Sequence, residues 1–178
     1  APPTPFDGPR YAPEQVIGGA RLGETGTITD MPAGIPMPPD TGDVSWLLAD
    51  NSTGEILAAK HPHALLRPAS TLKTLEAVTL MPRLDPKQVV IATKEHVAAN
   101  GSRVGMVAGN PYSVAQLFEA LIMVSANDAA YALADAGGGY DETVVLMNAK
   151  AKELGAFDTI VVDPSGLDEG DQRSSAYD

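Results

Sequence analysis

Three features of the sequence predict a mixed α/β (α+β) fold. Residues 44–60 carry a β-hairpin pattern, the run after Ser70 is free of Gly and Pro until Pro82, and the residues after Ser113 show helical periodicity. Val44–Ala49 (Val-Ser-Trp-Leu-Leu-Ala) reads as a buried strand. Asp50-Asn51-Ser52-Thr53-Gly54 is turn chemistry, and Glu55–Lys60 is the returning strand. Pro68 suits the start of a helix, because its fixed φ and missing N–H cost nothing there. Gln88–Thr93 reads as a short strand, with Val104–Val107 as its partner in a small ribbon. Ser113 and Gln116 have capping-box spacing. Val114, Leu117, Phe118, Leu121 and Ile122 then line one helical face. Further helices are expected at Ala129–Ala136 and from about Glu142, capped by Asp141, to Leu154, with Gly155 as the stop. Thr159–Val162 reads as extended, ahead of the turn Asp163-Pro164-Ser165-Gly166-Leu167.

Residues 1–43 hold nine of the fifteen prolines and no apolar periodicity. They read as a linker or surface-wrapping arm, so a folded domain is expected over 44–178. A two-stranded hairpin is marginal by itself, and the sequence offers no evident strand partner for it.

Composition narrows the function. The chain has 178 residues, 44% of them hydrophobic, enough for a sizeable core. Its formal charge is −11 with no basic run, which argues against nucleic acid as a partner. There is no cysteine, so disulfides and thiolate chemistry are excluded. No apolar run reaches membrane-spanning length. His61 and His63, two apart without a grouped third ligand, read as a solvated loop rather than a metal site.

Ser70 and Lys73 are three apart and would share one helical face, one turn apart. A serine hydroxyl becomes a strong nucleophile when a neighbouring base takes its proton, and a lysine is such a base only when neutral. Desolvation and the positive end of the helix dipole would both favour the neutral amine. The bland alternative is a solvated Ser and Lys on a surface helix. Ser125-Ala126-Asn127 falls at a break between helices, where an irregular backbone can aim both side chains into a cleft; the plain alternative is an interhelical turn with a capping Asn. A hydroxyl to relay a proton and an amide to bind a peptide while holding the lysine are what a Ser–Lys pair still needs.

Together these residues resemble the serine penicillin-recognising enzymes, whose motifs are Ser-x-x-Lys, Ser-x-Asn and Lys-Thr-Gly. More closely, the chain resembles the low-molecular-mass penicillin-binding proteins that are D-alanyl-D-alanine carboxypeptidases. The likeness lies in Ala49–Lys60, Arg67–Leu75, Tyr112–Ala134, Met147-Asn148, Leu154-Gly155 and Asp163–Asp168, and covers roughly residues 44–178. It implies a β-lactamase/penicillin-binding transpeptidase-like fold, an antiparallel sheet with flanking helices plus a helical subdomain. Ser70 would be the acyl-forming nucleophile, Lys73 its base, Ser125 the proton relay and Asn127 a substrate-binding residue. It also implies peptidoglycan stem peptides as substrate, β-lactams as inhibitors, no metal or organic cofactor, and a place in the cell envelope outside the cytoplasm.

No Lys-Thr-Gly follows Ser125. The expectation is therefore that the chain is the N-terminal part of a longer enzyme, inactive alone, whose missing C-terminal part supplies the third motif. A class A β-lactamase is disfavoured, because Glu-x-x-Leu-Asn is absent and Ala126 stands where those enzymes carry Asp. A cross-link endopeptidase of the same fold and a non-catalytic peptidoglycan-binding module are the remaining alternatives.

Overall fold

The computed structural model describes residues 11–42 and 44–178, so the first ten residues of the expected arm and Asp43 lie outside the described residues. Of these, the residues up to Leu66 together with Ser174–Asp178 form one compact unit, and Arg67–Arg173 form a second.

The first unit is built on a three-stranded antiparallel sheet, β1 (Thr27–Thr29), β2 (Trp46–Ala49) and β3 (Ile56–Lys60), in the order β1-β3-β2. The β2–β3 hairpin is the expected one. Its turn is held by Asp50 Oδ1, which accepts from the amides of Ser52 and Thr53. The hairpin does have a partner, contrary to expectation. Ile28 pairs with Ala59, and the stretch expected to stay out of the core contributes buried Val16, Leu22 and Ile28. Three residues of Thr-Ile-Thr are too short to show a period of two, so the strand forms because β3 offers an open edge. His63 also departs from the solvated-loop reading. It is buried, its ring lies 4.7 Å from that of Tyr177, and its Nε2 is 3.1 Å from the Ile17 carbonyl.

The second unit is mainly helical: α1 (Leu72–Leu80), α2 (Lys94–Val97), α3 (Val114–Met123), α4 (Asn127–Ala136) and α5 (Tyr140–Glu153), with a ribbon of β4 (Val89–Ile91) and β5 (Pro111–Ser113). The apolar stripe of α3 packs against the alanines of α4 and the end of α1. Leu80, Leu117, Leu121 and Leu133 are fully buried there, each stabilising the fold by roughly 1.5–3 kcal/mol. The capping box forms as expected: Ser113 Oγ accepts from the Gln116 amide and Gln116 Oε1 from the Ser113 amide. The strand paired with β4 is Pro111–Ser113 and not Val104–Val107. The amides of Val104, Gly105 and Met106 instead donate to the buried Asp128 carboxylate, which curls that segment away from any ladder. α5 starts two residues early, at Tyr140, with Gly139 rather than Asp141 as its cap.

Candidate active site

Ser70 lies in a 3-10 turn, Ala69–Thr71, that runs into α1. One turn later Lys73 points back along the helix, and its Nζ is 3.1 Å from Ser70 Oγ. Ser70 is exposed while Lys73 is only 2% exposed, so the hydroxyl faces solvent and its base is dry. Burial pushes the Lys73 ammonium below its ordinary value; the negative charges of Glu76 and Asp163 oppose that shift.

The lysine is held from the far end of the unit. Its Nζ donates to the Ser165 carbonyl at 2.6 Å. That carbonyl is placed by Asp163, whose Oδ1 accepts from the Ser165 amide, the Ser165 hydroxyl and the Leu167 amide. Its Oδ2 accepts from the hydroxyls of Tyr131 and Tyr140. Burial above all, with Asp163 adding to it, raises both phenols, Tyr131 to about 12, so both stay protonated as donors. Buried Gln172 closes the loop: its Oε1 accepts from the amides of Val162 and Asp163, and its Nε2 donates to the Leu167 carbonyl. Gly166 sits at φ 88, and a Cβ there would land on the Ala69 carbonyl, the peptide just before the nucleophile.

Ser125 and Asn127 occupy the expected break between α3 and α4. Ser125 has φ 57, a left-handed conformation uncommon for serine, and its buried Oγ has no hydrogen-bond partner among the described residues. The Asn127 amide group donates to the Asn100 carbonyl at 2.6 Å, and its Oδ1 is likewise buried without a partner. The expectation that Asn127 holds the lysine is thus corrected: the Ser165 carbonyl does so. Sequence reasoning also missed Glu76. It lies three residues after Lys73 on the same face, fully buried, with neither carboxyl oxygen hydrogen-bonded. Its helical spacing from Ser70 and Lys73 was the available signal. Among the described residues no group of three or more acidic, His or Cys side chains is placed to hold a metal.

A known family profile, D-alanyl-D-alanine carboxypeptidase (Peptidase_S11), matches residues 34–178. A D-alanyl-D-alanine carboxypeptidase of Mycobacterium tuberculosis is 41% identical over 149 residues, 83% of this chain and 51% of that protein. A crystal structure of D-alanyl-D-alanine carboxypeptidase from the same organism superposes with a TM-score of 0.78 at 40% identity, over 83% of this chain and 57% of that one. Penicillin binding protein 6B of Escherichia coli superposes with a TM-score of 0.74 at 33% identity, over 84% of this chain and 51% of that one. The fold is that of the penicillin-binding DD-peptidases, and the chain belongs to the D-alanyl-D-alanine carboxypeptidase family. It spans about half the length of the Mycobacterium tuberculosis relative.

Proposed function

We propose that the protein is a serine-type D-alanyl-D-alanine carboxypeptidase of the bacterial cell envelope, trimming the terminal D-alanine from peptidoglycan stem peptides. The observation that carries this reading is the exposed Ser70 hydroxyl 3.1 Å from a buried, unusually acidic Lys73. Neutral Lys73 takes the Ser70 proton while Oγ attacks the carbonyl of the penultimate residue. The peptide bond breaks, D-alanine leaves with a proton relayed through Ser125 Oγ, and an ester to Ser70 remains. Water then hydrolyses that ester, with Lys73 again the base. The Ser165 carbonyl fixes one Nζ–H, so the amine is oriented before substrate arrives. The unpartnered Oδ1 of Asn127 accepts an N–H of the stem peptide. β-Lactams acylate the same serine. Among the described residues no helix is long and apolar enough to cross a membrane.

Labelling the full gene product with a fluorescent penicillin tests this. Ser70 is expected to carry the adduct by mass spectrometry, and Ser70→Ala to abolish it without loss of folding. An adduct on the Ala variant, or none on the wild type, would sink the reading. Offering a stem pentapeptide beside a cross-linked dimer separates carboxypeptidase from endopeptidase action by the product released.

A further inference from the structure

The mechanism above leaves Glu76 unused. Its side chain is 0% exposed and its two oxygens have no hydrogen-bond partner among the described residues, yet it sits one turn beyond the base on the same face of α1. Burying a carboxyl without donors is costly, and more so when it is charged. Helix packing does not require it, since an apolar side chain of similar size would fill the space.

The groups acting on Glu76 come from several elements. Lys73 is on its own helix, and Asp163 lies in the turn after α5. Tyr131 from α4 and Tyr140 from α5 reach that same Asp163. The other acids of α4 are committed elsewhere, Asp128 to the amides of residues 104–106 and Asp135 to His96. The acid of α3, Glu119, is exposed. On α5, which also packs against α1, Asp141, Glu142 and Lys152 are exposed and Lys150 pairs with Glu153, so Lys73 is the cation that answers to Glu76.

Resting on the proposed role of Lys73 as base, we propose that Glu76 is its positioning partner: the two buried side chains titrate as a coupled pair, and the charge on Glu76 sets the pH at which Lys73 can accept the proton of Ser70. With the proton on the amine the pair is Lys–NH3+ and Glu–COO−, and the base is blocked. With it on the carboxyl the pair is Lys–NH2 and Glu–COOH, and the base is ready. These two forms hold the same number of protons, so their ratio does not change with pH; the pair takes up a further proton at lower pH and loses one at higher pH, and an ionised Glu76 raises the pH at which Lys73 becomes neutral. Each group exchanges with bulk water, so no direct bond between Nζ and the carboxyl is needed. Burial pushes the Glu76 carboxyl well above the ordinary carboxylate range, and Lys73 only partly offsets that, consistent with the uncharged form being accessible.

Glu76→Gln keeps the shape and removes the titration. The pH dependence of penicillin acylation in the full gene product should then shift: its acid limb moves to lower pH by about 1 unit or more, the threshold at which two sites titrate as a pair. The alkaline plateau stays within a few-fold, and Glu76→Asp brings the limb back toward wild type. A second readout needs no catalysis. A carboxyl raised on folding stabilises below its unfolded value and loses that stability as pH rises through its folded value. The stability of Glu76→Gln relative to wild type should therefore grow as pH rises from about 4.5. Superposable acylation profiles, or an unchanging stability difference across pH, would overturn the proposal. If acylation proves independent of Lys73, the functional reading fails instead, and the stability readout still judges whether Glu76 titrates.

Discussion

Asp163 and Glu76 both act on Lys73 and are almost equally hidden, 1% and 0% exposed, but Asp163 accepts hydrogen bonds from two amides and three hydroxyls while Glu76 accepts none. The first carboxylate is spent on architecture. Its donors convert one side chain into a fixed turn, and the turn delivers a carbonyl to the lysine. The second has nothing to fix it except the charge of its neighbours, so its protonation is free to follow theirs. Burial alone therefore says little about a carboxyl's task, and the donors around it say most.

The largest effect expected on this contrast is from Lys73→Arg. Arginine stays charged at any accessible pH, so it gives Glu76 a permanent counterion and Ser70 no base. The second-order rate of penicillin acylation should fall by roughly 10²–10⁴-fold. More than about a tenth of wild-type activity would mean that the lysine supplies charge and not proton transfer.

Asp163→Ala comes next. It strips the acceptor from the amides of Ser165 and Leu167 and from the hydroxyls of Ser165, Tyr131 and Tyr140. Hydrogen bonds to charged groups are worth about 1.5–3 kcal/mol each and do not simply add, so denaturant unfolding should show a loss of about 3 kcal/mol or more. A loss below about 1 kcal/mol would remove Asp163 from its structural role. Asp128→Asn should cost less, about 1–3 kcal/mol, since an amide can still accept from some of the four backbone donors. Hydrogen exchange at Val104, Gly105 and Met106 should quicken.

Glu76→Met should change stability least near pH 4, where the carboxyl is protonated, by within about 1 kcal/mol and in either direction, because no donor is orphaned by it. Loss of more than about 2 kcal/mol would show that Glu76 makes bonds comparable to those of Asp163 and would collapse the distinction.

What the sequence revealed follows the range of the interactions. Ser70 and Lys73 were readable because helical spacing alone brings them together. Ser113 and Gln116 were readable because a capping box is local. The hairpin showed through its turn residues. Long-range features did not show: β1 exists because β3 has an edge to fill, and Val104–Val107 is not a strand because Asp128, far along the chain, takes its amides. The carbonyl that grips Lys73 belongs to Ser165, and no side-chain pattern marks a carbonyl. Glu76 was hidden by its type, since a glutamate in a short amphipathic helix ordinarily faces water.

The close approach of Gly166 to the peptide before Ser70 also bears on how such genes vary. The neighbour is main chain, so no change of side chain across the gap makes room for a larger residue. The constraint therefore falls on position 166 alone, whatever side chains surround Ser70. A lone drift from glycine there, silent to any survey of charged or nucleophilic positions, would displace the peptide that leads into the nucleophile.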